Sequence, residues 1–480
     1  MTISERPAWV ADAIFYQIFP DRFARSERVP KPAHLEPWDA PPTVDGYKGG
    51  DLLGVVERLD WLSDLGVSAV YLNPIFQSAS NHRYHTHDYF RVDPLLGGDA
   101  AFDEMLAACH DRGIRVVLDG VFNHASRGFL QFNDILESGS ASPYVDWFTI
   151  HEFPPNAYDA SRPPGYDAWW NLHALPKFRT ENPAVREFLM SVGEHWMRRG
   201  ADGWRLDVPE EIKTEGFWEE FRQRVRAVNP DAYLVGEIWD PATGWIDDGT
   251  RFDGTMNYQL TATVLRFAAA GRIDADVVAP VNMVLEPPIG AVEYRRSIDR
   301  LLDLYPAEAQ AANLNLLGSH DTARVLSMVG GDGASVRLAS LLTFTFPGAP
   351  CIYYGDEIGL PGTQDPGSRA GFPWDDEGSW DHDLLAHFRS LSALRREHPA
   401  LRHGEYRHVL SEGQAYAFAR EHAGERLVVA INAGNGGVHP WAAEEGGHAE
   451  HLWGSGSASF RDGAMLFDLP PRSAGVWRVS

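Results

Sequence analysis

Cysteine is nearly absent: Cys109 and Cys351 are the only two among 480 residues. So distant a pair excludes a disulfide framework, and each reads as a small buried apolar side chain. Long apolar runs are missing too. The nearest, from Ala339 to Tyr354, is broken by Pro347 and Pro350 and falls short of the roughly 18–20 uninterrupted residues of a membrane span. The opening Met-Thr-Ile-Ser-Glu-Arg-Pro-Ala-Trp-Val lacks a basic segment followed by an apolar one, so no secretory leader is expected and the cytoplasm is the expected location. Positive charge is scarce as well. Lys and Arg number 42 against 67 Asp and Glu, a net charge of −25, which argues against nucleic acid or an anionic membrane as partner through a general positive field. No short-period repeat and no low-complexity tail occurs.

What is present is an ordinary globular balance, 44% hydrophobic and 23% charged, with 16 Trp, so a large core is expected and flat aromatic surfaces are available. Ile14–Pro20, Val67–Pro74, Ile114–Val121, Ala201–Val208 and Asp231–Trp239 read as strands. Gly254–Gln259, Asn313–Asp321 and Ala349–Gly359 are weaker candidates. Between them Asp51–Leu65, Phe102–Arg112 and Pro183–Arg199 carry apolar residues every three or four positions, the pattern of amphipathic helices. Gly66, Gly113 and Gly200 follow these helices, where positive φ is easiest to place. Eight strands alternating with helices predict an α/β fold, a closed parallel (β/α)8 TIM barrel.

A minimal barrel needs about 250 residues, so part of the chain lies elsewhere. Residues 125–170 lack strong helical periodicity and are rich in Pro, Gly and aromatics; they read as a small subdomain inserted after the third strand. From about residue 400, Gln414–Arg420, Arg426–Ala433, Ala464–Asp468 and Gly475–Val479 read as short strands with Gly-rich turns. That predicts a C-terminal antiparallel β-sandwich over 400–480, with the barrel occupying 1–124 and 171–399.

Several of these strands end in an acid or a histidine. The third runs into Asp119, Asn123 and His124, the fourth into Arg205 and Asp207, the fifth into Glu237, and the seventh into His320 and Asp321. A lone acid at a strand end is usually a loop cap, but a parallel barrel delivers all its C-terminal strand ends to one mouth. Arg205 and Asp207 are two residues apart on a strand and share a face, so the cation is expected to keep Asp207 ionised, as a nucleophile requires. Glu237, beside Ile238 and Trp239 and among other acids, suits a proton donor. One ionised and one protonated carboxyl on neighbouring strands is the arrangement for retaining glycoside hydrolysis. His124 and His320 can donate to sugar hydroxyls, and Asp321 can answer positive charge in the transition state.

Asp119-Gly-Val-Phe-Asn-His124, Gly203-Trp-Arg-Leu-Asp-Val208, Gly236-Glu-Ile-Trp239 and Gly318-Ser-His-Asp321 occur in this order on the third, fourth, fifth and seventh strands. With these four motifs the chain resembles the α-amylase family of retaining glycoside hydrolases, glycoside hydrolase family 13, over about Ala13 to Pro399. The resemblance implies Asp207 as nucleophile, Glu237 as general acid/base and Asp321 as transition-state stabiliser, with Asp119, His124, Arg205 and His320 lining the subsite of the reacting glucose. Leu175-Pro176-Lys177-Phe178, the Asp207-Val208 pair, Glu211, Tyr16–Phe23 and Tyr47–Asp51 are similar to the neopullulanase, cyclomaltodextrinase and maltogenic amylase group. Phe178 and Arg179 depart from its Met-Pro-Lys-Leu-Asn signature. That group acts on cyclodextrins, maltooligosaccharides and pullulan, cleaving α-1,4 and some α-1,6 bonds. Its members commonly carry an N-terminal sandwich domain that helps them dimerise; the first strand here begins near residue 13, so that domain is expected to be absent and a monomer with an open cleft is expected.

The resemblance extends to the rest of the mouth. Asp365-Pro-Gly-Ser-Arg369 is similar to the family's Asp-Pro-x-x-Arg, which holds the next glucose on the non-reducing side; the alternative is an ordinary polar turn. Tyr84 and Asp88 match a tyrosine that stacks under the reacting sugar and an aspartate four residues on, and His85 stands where the group commonly has an acid. Trp239 is either a stacking platform for the leaving sugar or a core tryptophan. The histidines of Asn81–Asp88 lack the helical i, i+4 pairing or Cys partner of a zinc site. For calcium, Asn123 matches a family ligand, but Glu210-Glu211 replaces a family histidine, and Arg25–Pro30 brings basic residues where oxygen ligands are wanted. No cofactor or required metal is expected. Two rival outcomes stand beside an α-glucan hydrolase: a glucanotransferase or sugar isomerase of the same family, and a non-catalytic carbohydrate-binding barrel, which would be expected to lack one of Asp207, Glu237 and Asp321.

Overall fold

The computed structural model describes residues 6–280 and 283–480. Eight strands form one parallel sheet: β1 (Phe15–Ile18), β2 (Ala69–Leu72), β3 (Arg115–Gly120), β4 (Gly203–Leu206), β5 (Tyr233–Gly236), β6 (Gly254–Thr255), β7 (Leu314–Leu316) and β8 (Ala349–Tyr353). Around the sheet the order is β6-β5-β4-β3-β2-β1-β8-β7. A parallel bridge between Met256 and Leu314 joins the two edges and completes a TIM barrel.

Alternation along each strand sorts side chains into two layers. Phe15, Ala69, Tyr71, Val117, Tyr233, Val235, Leu314, Leu316 and Cys351 fill the barrel interior. Tyr16, Val70, Leu72, Val116, Leu118, Trp204, Leu206 and Leu234 face outward and pack under the helices. Cys109 belongs to that outer layer, and both thiols are free and buried. Where β4 meets β5 the backbones approach so closely that a Cβ on Gly203 would stand 2.3 Å from the Tyr233 carbonyl oxygen, which leaves room only for glycine there.

Helices Gly98–Asp111 and Pro183–Arg198 fall where the periodicity places them. Gly66, Gly113 and Gly200 take φ of +88°, +71° and +104°. The stretch expected as one helix from Asp51 is two, Leu52–Glu57 and Leu59–Leu65, broken at Arg58 (φ −113°, ψ 8°); apolar spacing cannot register a kink that leaves the buried face intact. Gly254–Gln259 holds only a two-residue strand before a helix begins at Tyr258.

The excursion after β3 is not devoid of helix: Leu130–Ser138 is helical and buries Phe132 and Ile135. Its turns are otherwise held by isolated bridges, such as His124–Lys177 and Phe148–Phe178. Toward the C-terminus lie β9 (Glu405–Glu412), β10 (Ala415–His422), β11 (Glu425–Asn432), β12 (Trp441–Ala443), β13 (Ala449–Gly454), β14 (Ser457–Arg461), β15 (Ala464–Asp468) and β16 (Ser473–Val479). They form two antiparallel sheets, β9-β10-β11-β16-β13 and β12-β15-β14. The β-sandwich is thus present with four strands that the pattern missed, because β9, β13 and β14 are half-exposed and polar and β12 is only three residues long. In β10, Ala417 and Ala419 face the small sheet while Tyr416 and Phe418 join the barrel's helical layer, so one strand serves two cores.

Candidate active site

The barrel interior changes character toward the C-terminal strand ends. On β3 the inward series runs from Val117 to Asp119, on β5 from Val235 to Glu237, and on β4 it reaches Arg205 and then Asp207. Each polar residue follows its inward-facing neighbour by two, so strand alternation alone aims all of them at one mouth.

Arg205 organises the centre. Its Nη1 lies 2.9 Å from Asp119 Oδ1 and 2.9 Å from Asp207 Oδ1, and its Nη2 lies 2.8 Å from Glu237 Oε2. All four side chains are buried. Glu237 Oε2 also accepts from the Val208 backbone N–H at 3.2 Å, and Glu237 Oε1 from Trp239 Nε1 at 3.2 Å. Tyr71 and Tyr84 donate to Asp119 Oδ2 at 2.9 and 2.8 Å. A second cation enters from the loop after β8: Arg369 Nη2 lies 3.3 Å from Asp321 Oδ1 and its Nη1 3.1 Å from Asp365 Oδ2.

Five carboxyls therefore share two guanidiniums, and burial dominates the result. It pushes the Asp207 carboxyl well above the usual range, with Arg205 opposing and Glu237, Asp119 and Asp321 adding repulsion. Burial and the Glu237 charge push Asp321 up to about 7, against Arg369 and Arg205, although 32% of its side-chain surface stays open. Burial raises Asp119 as well. The Arg205–Asp207 pair expected from their spacing is present, and burial outweighs it in setting the direction of the shift. One guanidinium divided among three buried acids cannot neutralise each, so burial sets the direction for Asp207 and Asp119.

The imidazoles are neutral. Burial pushes His124 down to about 3 and His320 well below its usual value. His320 Nδ1 faces the Gln17 amide nitrogen at 2.9 Å, which puts the ring proton on Nε2, 2.7 Å from the Tyr84 hydroxyl and 3.1 Å from Asp321 Oδ2. His124 Nε2 is buried without a hydrogen-bond partner, a donor or acceptor left for something the protein does not supply. Trp239 lies flat on Tyr258, ring centroids 3.7 Å apart, with one face covered and the ring half-buried. It borders a cleft of about 630 Å³ that Gln259, Met283 and Arg300 also line.

Known proteins can be set beside this geometry. Residues 17–404 match the family model described as alpha amylase, catalytic domain. The chain is 41% identical to a cyclomaltodextrinase of a Bacillus species over 94% of its own length and 78% of that protein, and 41% identical to neopullulanase 2 of Thermoactinomyces vulgaris over 89% and 70%. The crystal structure of a debranching enzyme from Nostoc punctiforme superposes with a TM-score of 0.92 at 49% identity, covering both chains entirely. The chain belongs to the alpha-amylase family. It is a glycosidase of the group that the Leu175–Phe178 motif resembles.

In this alpha-amylase-family protein, eleven of the twelve residues singled out from sequence (Tyr84, Asp119, His124, Arg205, Asp207, Glu237, Trp239, His320, Asp321, Asp365 and Arg369) stand at the mouth of the barrel, most of them in the hydrogen-bonded cluster just described. Asp88 is the exception. Its Oδ1 accepts from the Phe90 N–H at 2.8 Å within its own strand, Thr86–Val92, because a carboxylate two residues before a free N–H closes a local turn more cheaply than it reaches the cluster. Tyr84 stacks on His320, centroids 5.3 Å apart and planes within 4°. Gln17, Asn73, Tyr71 and Tyr258 escaped sequence reading although they hold His320, Tyr84, Asp119 and Trp239 in place. For Gln17, Tyr71 and Asn73 the signal was a polar or hydroxyl-bearing side chain on the inward register of β1 and β2, visible only once that register is known; Tyr258 opens the helix after β6.

The residues do not fit calcium. Asn123 turns its side-chain amide nitrogen to His124 Nδ1 at 3.2 Å, and its backbone carbonyl accepts from Phe178 N at 3.0 Å. In the loop after β1 the Lys31 ammonium pairs with Asp51, whose carboxylate also accepts from Ser26 N and Gly54 N at 2.8 and 2.7 Å. Asp21 faces Arg22 at 2.9 Å and Arg83 at 3.4 Å. Cationic side chains stand where a metal would need oxygen ligands. Nor do His82, His85, His87 and Asp88 gather: among the described residues no three His, Cys, Asp or Glu side chains converge as a metal site.

Proposed function

We propose that the protein hydrolyses α-1,4-linked glucans, with α-1,6 linkages as further substrates, by double displacement with retention of configuration. The observation that carries this reading is the placement of Asp207 and Glu237 on adjacent strands against adjacent nitrogens of Arg205. Two carboxyls sharing one guanidinium are held at close range, which favours the spacing of about 5–5.5 Å of retaining enzymes over the wider gap that an inverting water needs.

Asp207 attacks the anomeric carbon as Glu237 gives its proton to the departing glycosidic oxygen. Asp207 attacks in its ionised form, and the oxocarbenium character of the transition state places positive charge amid Asp207, Asp119 and Asp321, where carboxylates stabilise it. Glu237 next takes a proton from water, and the hydroxide displaces Asp207. Neutral His124 and His320 supply hydrogen bonds to sugar hydroxyls without adding a positive charge that would oppose the transition state. Asp365 and Arg369 bind the glucose on the non-reducing side, and Trp239 meets the leaving sugar with its uncovered face. No helix among the described residues is long and apolar enough to cross a membrane; with two free buried thiols, a reducing cytoplasmic setting suits the chain.

Product analysis on β-cyclodextrin, pullulan and soluble starch tests the reading, with Glu237→Gln as control. Release of α-configured maltooligosaccharides that the variant abolishes is the expected result. Hydrolysis surviving in Glu237→Gln would overturn the mechanism, and strong preference for starch over cyclodextrin would remove the protein from the cyclomaltodextrinase group. Transfer products in place of free sugars from concentrated maltotriose would make it a transferase.

A further inference from the structure

An aromatic stack leads out of the site through the excursion after β3. Trp169 lies nearly parallel to the His124 ring, centroids 5.1 Å apart and planes 13° apart. Trp170 stacks on Trp169 in turn, at 4.3 Å and 13°. The first ring of the series is buried, the second half-buried, and the third 76% exposed. Packing for stability would bury the outermost ring, whereas this one offers a flat apolar face to solvent, with Leu172 exposed beside it.

The backbone holds the ring there against its own preference. Trp170 and Asn171 are consecutive non-glycine residues with φ of +51° and +57°, a left-handed conformation that side-chain sterics disfavour and that persists where surrounding structure imposes it. The tip is pinned on both sides: Trp169 N donates to Leu175 O at 3.0 Å, Asn171 N to Ala168 O at 3.2 Å, and Leu172 N to Trp169 O at 3.0 Å, above a bridge between Ala168 and Pro176.

We infer that Trp169 and Trp170 form a platform for the part of a long α-glucan on the leaving side of the cut, two or more sugars from the reaction centre. The inference rests on the hydrolase reading. A pyranose presents an apolar C–H face that matches an aromatic ring, and a neutral chain suits a strongly anionic protein. Continuity fixes the occupant, since the stack begins at His124, whose Nε2 is buried and unpartnered. Position around the barrel fixes the side: the excursion leaves β3, across the ring from Asp321, Asp365 and Arg369 on the loops after β7 and β8. Lys177, bridged through its backbone to His124 and paired with Glu211 at 2.8 Å, supplies polar partners for hydroxyls near the stack.

The test compares Trp170→Ala and Trp170→Phe with the wild type on maltotriose and on maltoheptaose labelled at its reducing end. In Trp170→Ala, kcat/KM for maltoheptaose is expected to fall about 5- to 10-fold more than for maltotriose, and cleavage to shift toward the reducing end, with Trp170→Phe restoring most of both. Calorimetric binding of maltoheptaose to Glu237→Gln is expected to weaken by a similar factor when Trp170→Ala is added. Equal changes on both substrates, or an unchanged cleavage pattern with unchanged binding, would overturn the platform. A wild type inactive on both substrates would instead refute the hydrolase reading, while the binding comparison would still decide the platform.

Discussion

The Val208 backbone N–H donates to Glu237 Oε2 across 3.2 Å, and Val208 itself sits at φ +35°. A β-branched residue in the left-handed region is a true outlier, sustained only by its surroundings. The turn after β4 follows Asp207 immediately and carries the next N–H to the acid that follows β5. One strained peptide thereby ties together the two carboxyls on which the proposed chemistry depends.

Val208→Gly tests that tie. Glycine accepts this backbone without strain, so thermal stability is expected to change by no more than a few degrees. The turn loses rigidity, and misplacement of catalytic groups by about 1 Å can cost on the order of 100-fold. A fall of kcat by about 10- to 100-fold with nearly unchanged KM is expected from steady-state kinetics on a maltooligosaccharide; unaltered kcat would show that the strain has no catalytic role.

Asp207→Asn and Glu237→Gln should each lower kcat by at least about 1,000-fold, since each removes a group that bonds to or protonates the substrate. Melting temperature is expected to hold or rise for Asp207→Asn, because the folded state pushes that carboxyl well up and a neutral amide removes the repulsion. A large loss of stability in Asp207→Asn would contradict the electrostatic account.

Glu357 offers a pH test away from the chemistry. It is fully buried, accepts from the Tyr16 hydroxyl at 2.8 Å and from Gly355 N at 2.9 Å, and burial pushes it up to about 7. With the folded value raised, its stabilising contribution is complete below the ordinary carboxyl value of about 4.3 and is lost as pH rises through about 7. Glu357→Gln should therefore gain stability relative to wild type between pH 4.5 and 8, of order 3 kcal/mol. Urea midpoints at both pH values read the difference, and a constant offset would refute the raised value.

Chelation by EDTA is expected to leave both activity and melting temperature unchanged, since Lys31, Arg22 and Arg83 already balance Asp51 and Asp21. Lys31→Ala strips the cation from a buried Asp51 and should cost about 1–3 kcal/mol in a denaturation experiment. An EDTA-sensitive wild type would show that a metal, not these cations, holds the loop.

Much of the site was legible because it rests on strand alternation. Asp119 and Glu237 sit two residues beyond the inward Val117 and Val235, and Arg205 and Asp207 continue the inward series of β4, so recognising the strands was enough to converge them. Asp88 closes a local turn to Phe90, and spacing carries no information about whether such a carboxylate turns to its own strand or to the cluster. The second strand of supports, Gln17, Tyr71 and Asn73, stayed hidden because their chemistry is ordinary and only their inward register is special. Trp170 stayed hidden for the opposite reason: nothing local separates an exposed tryptophan from a buried one, and its left-handed backbone is imposed by the bridged tip around it.

By itself the sequence determined the barrel, the sandwich, the four motifs and hence the family, because periodicity and motif order are properties of neighbours along the chain. The charge state of the cluster was decided only in three dimensions. Two residues from Arg205 and on its strand face stands Asp207, and that pair alone predicts an ionised carboxylate. Folding brings Asp119, Glu237 and Asp321 into the same pocket from three other strands. Burial and the sum of those charges, neither of which is local, push the Asp207 and Asp321 carboxyls up, where the pair alone would lower Asp207.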